Sequence, residues 1–363
     1  RNQMHLESGK RDDRLGLDAQ KGIAEAFGYE PSEVSLPVER FMRDYYRHAK
    51  AIHRVSSALI EQAVHGMEAR GERDGLLFLG RDQAAAFAAG SNLEPFVLAA
   101  ERGLKLSEQA KTEIRQVARG LGTSFGTQPG VASDFRKLAG SPNGFAQALR
   151  ELHDTGILSL ILPEFEGLDC FTQFDLYHHF TADEHTFNVV ENLENLARDP
   201  SPEMEPCRKL LAQTGHFRAL QMSLVFHDIA KWKRGDHSLV GAQMALEALP
   251  RLGFTAEEAE LCSFLTRHHL LMANIFQRRD LTEAGVLQRL ADTVGNTQRL
   301  GLLTLLTFAD IKAVGPGVWS PWKAQMLMDL HRGTRAVLEG GQRAGFLDPV
   351  EREELGQKLL ALL

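Results

Sequence analysis

An adjacent histidine and aspartate, His227 and Asp228, stand within the apolar run Leu224 to Ile229. A neutral imidazole and a carboxylate are ligand types that borderline and hard divalent metals accept. Polar groups in an apolar setting also need a partner, because burying an unpaired charge is costly. The pair therefore indicates a metal site, and Lys231, four residues after His227, would place a cation on the same face of a helix.

Further histidines and one carboxylate suit the same chemistry. Asp310 lies in the apolar run Leu302 to Ile311, where an unpaired anion would be costly. His268 and His269 are neighbours, and helix neighbours point about 100° apart, so one would face the site while the other meets its rim or a substrate phosphate. Each histidine alone is better explained as a core or surface residue. Together they favour a metal centre formed by His185, His227, Asp228, His237, His268, His269 and Asp310.

The elements that must position these residues are predicted to be helices. Thr181 and Glu184 have the spacing of a capping box that opens a helix running to Ala197. The one strand candidate, Gly75 to Leu79, is too short to support a sheet class. We therefore expect an all-α bundle with at most one hairpin. Further helices are predicted near 208–231, 238–250, 256–273, 282–292, 296–313 and 321–338.

The N-terminal part is also predicted to be helical. A short helix should end at Gly28, and a long amphipathic helix should run from Val38 to about Glu68. Apolar or small residues recur along it at spacings of three and four, so we expect it to pack by one stripe. That stripe comprises Phe41, Tyr45, Ala49, Ile52, Val55, Leu59 and Ala63.

Composition restricts the class of protein. The 363 residues are 43% apolar and 25% charged, which fits a globular protein and excludes disordered and fibrous classes. The net charge of −7 lacks the basic footprint of a nucleic-acid-binding protein. No stretch approaches the roughly 18 apolar residues of a membrane span. Cys170, Cys207 and Cys262 are too far apart for a C-x-x-C motif, which argues against a disulfide framework or a thiolate zinc site. From charge, hydropathy and cysteine spacing together, we expect a cytoplasmic protein without nucleic-acid or membrane partners.

The candidate ligands resemble a known signature. His185, the pair His227-Asp228 and Asp310 match the H…HD…D pattern of the HD superfamily of metal-dependent phosphohydrolases. His237 and His268-His269 resemble the additional ligands of its multinuclear members. The resemblance implies an HD-domain helical bundle with an N-terminal helical extension.

A more specific resemblance extends over nearly the whole chain. It is to the uridylyl-removing region of the bifunctional PII uridylyltransferase/uridylyl-removing enzymes. The matching stretches are Gly9 to Leu15, Phe27 to Tyr29, Val38 to Tyr46, Leu162 to Phe165, Phe174 to His178, Thr181 to Thr186, Gly235 to Ser238, Arg267 to Met272, Gln277 to Asp280 and Ser320 to Lys323.

This resemblance implies a division of the chain. Residues 1–75 would be a helical segment resembling the end of a nucleotidyltransferase substrate-binding region, and residues 76–165 a small helical connection. The HD phosphohydrolase domain would occupy residues 166–338, with a C-terminal helix at 339–363. We find no Gly-Ser and Asp-x-Asp nucleotidyltransferase motif, and residues 339–363 are too few for a glutamine-sensing ACT domain. We therefore expect the uridylyltransferase and glutamine-sensing domains to be absent from this chain.

The implied activity is removal of UMP from the uridylyl-tyrosine of a PII nitrogen-signalling protein. Asp228 would bridge two cations, Mn²⁺ or Mg²⁺ by expectation, although the histidines also suit iron, zinc or nickel. Asp228 and Lys231 would be catalytic, and His178, Arg278 and Arg279 would bind substrate. Two alternatives stay open: an HD phosphohydrolase acting on a small nucleotide, and a regulatory HD module that binds without turnover.

Overall fold

A computed structural model describes residues 1–66, 69–90, 92–174, 180–277, 285–315 and 317–340. These residues are mainly helical. The helices of the first half are α1 (Asn2–Ser8), α2 (Leu17–Ala26), α3 (Pro37–His65), α4 (Arg81–Gly90), α5 (Glu94–Arg102), α6 (Glu108–Ala118), α7 (Pro129–Ala139), α8 (Phe145–Thr155) and α9 (Ile157–Ile161). Those of the second half are α10 (Ala182–Leu196), α11 (Glu205–Gln213), α12 (Phe217–Phe226), α13 (His237–Arg251), α14 (Ala256–Gln277), α15 (Val286–Val294), α16 (Thr297–Ala313) and α17 (Pro321–Leu338).

The strands of the described residues form one small sheet in the order β1 (Gly71–Arg73), β2 (Leu76–Phe78), β3 (Lys105–Leu106). Strands β1 and β2 are antiparallel, as in a hairpin, and β3 adds to β2 in parallel. The predicted strand Gly75 to Leu79 contains β2. The predicted all-α class is therefore confirmed, and the sheet is a minor addition to the helices.

Two separate groups of buried apolar side chains hold the described residues together. The larger group extends along the chain from Leu77 to Leu330 and includes side chains from both the predicted connection and the predicted HD domain. The smaller group lies among the first three helices and contains Met4, Ile23, Ala24, Val38, Phe41 and Met42. The domain boundaries stay a prediction, and most of the predicted C-terminal helix, from residue 341 on, lies outside the described residues.

Helix α3 contacts the rest of the chain through a different side from the one predicted. Its beginning is buried at Phe41, but Ile52, Val55 and Leu59 are 70%, 62% and 61% exposed. The prediction that the whole stripe packs is therefore wrong. The opposite, basic side of the helix makes the contacts instead: Arg54 pairs with Asp154 at 3.3 Å.

The single helix predicted at 208–231 is also wrong. Two helices occupy this stretch, because the helical backbone is interrupted between Gln213 and Phe217. The second of them, α12, ends at Phe226. His227 to Lys231 continue as tight turns, in which the Lys231 N–H donates to the Asp228 carbonyl at 3.0 Å. The His-Asp pair therefore lies at the C-terminal end of a helix rather than within one.

Helix α10 begins at Ala182 after Thr181, as predicted, but without a capping box. Thr181 makes no side-chain capping hydrogen bond. The Glu184 carboxylate pairs with Arg150 at 3.4 Å instead of turning back to the helix end. None of the helices in the described ranges combines the length and apolar character needed to cross a membrane.

Candidate metal centre

Backbone carbonyls fix the orientation of two candidate histidines. A carbonyl oxygen can only accept, so His227 donates from Nδ1 to the Leu224 carbonyl at 2.7 Å. His269 likewise donates from Nδ1 to the Thr266 carbonyl at 2.8 Å. When neutral, each ring then has its lone pair on Nε2, the state in which an imidazole binds metal.

One group of ligand atoms joins α10, the end of α12 and α16. The His185 Nε2 atom lies 3.0 Å from Asp310 Oδ1 and 3.3 Å from His227 Nε2. His227 Nε2 lies 3.7 Å from the same Asp310 oxygen. Two imidazole nitrogens therefore converge on one carboxylate oxygen.

A second group joins the same turn to α13 and α14. His237 Nε2 and His269 Nε2 lie 3.6 Å and 3.7 Å from Asp228 Oδ1. The other oxygen of Asp228, Oδ2, lies 3.1 Å from His227 Nε2 and 3.6 Å from His185 Nε2. Asp228 therefore stands between the two groups, with one oxygen toward each.

Local structure brings His237 to this position. Asp236 caps α13, because its carboxylate accepts the Ser238 N–H at 2.9 Å. One turn further, Gly241 lets α13 approach its neighbours: a Cβ there would lie 3.1 Å from the Phe226 carbonyl oxygen and 3.2 Å from the Thr266 side chain. The absence of a side chain at Gly241 thus sets His237 beside the end of α12.

The described residues fit divalent cations. Each group offers three ligand atoms within 4.8 Å of one another. The Nε2 atoms of His237 and His269 are buried and have no hydrogen-bond partner in the part of the chain that the structure describes, an arrangement that costs about 1–3 kcal/mol per atom unless something binds them. Imidazole and carboxylate donors suit manganese, iron, zinc and nickel, and a bound cation would satisfy both nitrogens.

The electrostatics place His237, His269 and Asp228 in the protonation states that bind metal. Burial lowers the pKa of His269 to about 4 and also lowers the pKa of His237. Burial alone would raise the pKa of Asp228, but the charges of His227 and Lys231 hold it well below its usual range. At neutral pH His237 and His269 are therefore neutral and Asp228 is ionised, which is the state that ligates metal. Burial lowers the pKa of His227, but the charges of Asp228 and Asp310 raise it by more, so that without a cation its pKa is above the usual value.

Lys231 contacts this carboxylate directly. Its Nζ atom lies 2.6 Å from Asp228 Oδ2, three residues earlier in the turn. The predicted helix face shared by His227 and Lys231 does not form, because α12 has already ended. The turn nevertheless keeps an ammonium group beside the candidate ligands.

The structure does not bring His268 into either group. Its ring packs on Phe264, with the ring centres 4.7 Å apart, while its neighbour His269 faces Asp228. The rotation of about 100° between adjacent helix residues separates them. The predicted substrate residues His178, Arg278 and Arg279 lie outside the described residues.

A third histidine-carboxylate group was not predicted from the sequence. His153 Nε2 lies 3.2 Å from Asp183 Oδ2 and 3.4 Å from Asp169 Oδ1. Arg47 also pairs with Asp169 at 3.2 Å, so these carboxylates already have cationic partners. Nothing in the local sequence identifies the group, because its members come from α8, a loop and α10.

Fold and site together define an all-α protein with two adjoining His/Asp groups suited to divalent cations. The family model described as GlnD PII-uridylyltransferase matches residues 1–60. The chain is 32% identical over 369 residues to the bifunctional uridylyltransferase/uridylyl-removing enzyme of Cereibacter sphaeroides, which covers 93% of this chain and 38% of that protein. It is 33% identical over 378 residues to the enzyme of the same name from Burkholderia thailandensis, covering 100% of this chain and 44% of that protein.

The chain thus spans about two fifths of the length of these curated relatives. The similarity extends over the whole or nearly the whole of this chain, and the relatives are enzymes by name.

Proposed function

We propose that the chain is a metal-dependent phosphodiester hydrolase of the HD type, which removes UMP from the uridylylated tyrosine of a PII-type signalling protein. The observation that carries this proposal is the position of Asp228, whose two oxygens face separate groups of histidines. The words "uridylyl-removing" in the names of the relatives support the choice of substrate.

The ligands would be divided between two cations. His185, His227 and Asp310 would hold one, His237 and His269 would hold the other, and Asp228 would be shared. When bound, such cations lower the pKa of a bound water toward about 7 and stabilise charge on phosphoryl oxygens. We propose Mn²⁺ or Mg²⁺, with iron, zinc or nickel also suited to the imidazoles.

Lys231 would serve the reaction from beside Asp228. Its ammonium group, 2.6 Å from Asp228 Oδ2, keeps that carboxylate ionised and offers a positive charge to a phosphoryl oxygen. Water adds at phosphorus and gives up a proton to solvent, the bond from phosphorus to the tyrosine oxygen breaks, and the released phenolate takes a proton from solvent. Because a phenol has a pKa of about 10, its departure needs little help from a general acid.

The test is release of UMP from a uridylylated PII protein by the full chain supplied with Mn²⁺. Replacing Asp228 with asparagine keeps the shape but removes the shared charge, so Asp228→Asn should lower the rate by at least about 10²-fold. The exposed Asp292 on α15 provides the matched control, and Asp292→Asn should leave the rate unchanged.

Three outcomes would contradict the proposal, and each has a different meaning. Full UMP release by Asp228→Asn would exclude the proposed centre. Hydrolysis of free nucleotides without release of UMP from PII would identify a small-nucleotide phosphohydrolase. Failure to bind metal, together with no turnover, would identify a binding module.

A further inference from the structure

A cleft of about 360 Å³ opens between α11, α16 and α17. None of the candidate metal ligands lines it. Although the chain carries a net charge of −7, no aspartate or glutamate among the described residues lines the cleft either. Its polar lining consists of Gln213, Thr214, Thr297, Gln298, His331 and Arg335.

His331 presents a hydrogen-bond acceptor to this cleft. The Thr304 hydroxyl donates to the Leu300 carbonyl at 2.8 Å, so its oxygen accepts from His331 Nδ1 at 2.9 Å. The opposite ring atom, Nε2, then carries a lone pair, and no group in the described residues donates to it. His331 is 4% exposed, and burial, followed by the charges of Arg335 and Arg332, lowers its pKa to about 4. The ring is therefore neutral at physiological pH.

The start of α16 supplies donors to the same cleft. Thr297 and Gln298 are its first two residues, whose N–H groups have no acceptor within a helix. The capping side chain of Asn296 accepts from Arg299 at 2.8 Å and so leaves both of these amides available. A helix N-terminus with free amides favours anions.

Arg335 adds a full positive charge. Its Nε atom donates to Glu339 at 2.7 Å, which leaves the terminal nitrogens of the guanidinium for another partner. Glu339 itself does not line the cleft. The cleft thus combines a cation and two amide donors with one ring-nitrogen acceptor, Nε2 of His331.

We propose that this cleft binds a phosphate group that retains a proton, either as inorganic phosphate or as a small phosphate monoester. The phosphate oxygens would accept from the Thr297 and Gln298 amides and from Arg335, and its P–OH group would donate to His331 Nε2. Sulfate has the same shape but no proton at neutral pH, so it would leave the His331 acceptor facing an anion. The site should therefore select phosphate over sulfate.

Gly301 provides a way to close the cleft. Gly301 lines the cleft, and a Cβ at this position would meet only the Leu210 side chain, at 3.9 Å, so the site has room for the first side-chain atom of a larger residue. Alanine should leave most of the volume open. Because glycine is a poor helix former, neither substitution should weaken α16.

The experiment is calorimetric titration of the full chain with inorganic phosphate, after EDTA treatment so that the metal centre does not contribute. We expect single-site binding of phosphate and at least tenfold weaker binding of sulfate at equal ionic strength. Gly301→Leu should raise the Kd for phosphate at least tenfold, whereas Gly301→Ala should keep it within twofold. Arg335→Gln should raise the Kd severalfold, while the exposed control Arg198→Gln should not.

A second titration with UMP distinguishes the two sources of phosphate. Tighter binding of UMP than of phosphate, lost in Gly301→Leu, identifies a nucleotide monoester; equal affinities identify free phosphate. Both results support the site. Equal affinity for phosphate and sulfate, unchanged binding in Gly301→Leu, or no binding of either phosphate compound would overturn it.

Discussion

Two neighbouring histidines on α14 have opposite surroundings. His269 is 1% exposed and its Nε2 atom lies 3.7 Å from the Asp228 carboxylate. His268 is partly exposed, and its ring rests on Phe264, whose ring centre lies 4.4 Å from the Arg299 guanidinium. His268 therefore provides a matched control for His269 in tests of the proposed centre.

We expect His269→Gln to lower metal affinity by at least about tenfold, since a lost ligand costs at least as much as a lost supporting contact. UMP release should fall with it. His268→Gln should change neither quantity by more than twofold. Metal content measured after dialysis, together with the rate of UMP release, checks both variants; equal losses in the two would contradict the assignment.

The residue types of the centre could be read from the sequence, but their directions could not. A histidine beside an aspartate in an apolar run already indicates ligands. Helix α14 is apolar on several sides, so its sequence does not determine which of His268 and His269 faces inward. That choice depends on how α13 packs at Gly241, a contact between elements.

At the scale of elements, the His153 group fastens several parts of the chain to one another. His153 on α8 lies between Asp183 on α10 and Asp169 in the preceding loop, and Arg47 of α3 reaches the same loop. Burial lowers the pKa of His153, but its hydrogen bonds to Asp169 and Asp183 raise it by more, so the pKa is above the usual value. A protonated His153 thus links two carboxylates.

This linkage should make stability depend on pH. A raised pKa in the folded state contributes stability that is fully present below the unfolded pKa, about 6.5, and is lost as the pH rises through the folded pKa. His153→Gln removes the cation from a buried pair and should cost about 3 kcal/mol at pH 6. The difference between wild type and variant should shrink toward pH 9. Urea unfolding between pH 6 and 9 measures it, and a constant difference would count against this interpretation.

Several elements could be predicted closely because their ends are marked by single residues. Asn296 and Ser320 cap α16 and α17, accepting N–H groups at 2.8 Å and 3.3 Å. The interruption between α11 and α12 has no such marker apart from Gly215, so the sequence predicted a single helix there. The predicted capping box at Thr181 does not form, and Glu184 pairs instead with Arg150, which is distant in sequence.

At the scale of the whole molecule, the two groups of buried side chains differ greatly in size. The smaller group involves only the first three helices and a few partly buried neighbours. The larger group includes side chains from most of the remaining helices. Among these is α16, whose central residues are almost completely buried. Local opening should therefore be easier at the N-terminal end of the described chain.

We expect the amides of α2 to exchange with deuterium at least about tenfold faster than those of α16, because fewer buried contacts oppose their opening. Hydrogen exchange with peptide-level mass spectrometry measures both helices in one sample. Helix α17, which packs on α16, serves as an internal comparison. Equal protection of α2 and α16 would show that the two groups unfold together.

The candidate ligands come from parts of the chain that are far apart in sequence. The first candidate ligand in sequence is His185 on α10, and the last is Asp310 on α16. A cation held between them would act as a cross-link that exists only in the folded chain. Ligand at 100 times its Kd stabilises a folded state by about 2.7 kcal/mol. Withdrawal of metal would therefore remove both turnover and part of the resistance to heat and proteolysis, so the metal supply of a cell would govern how long each molecule lasts.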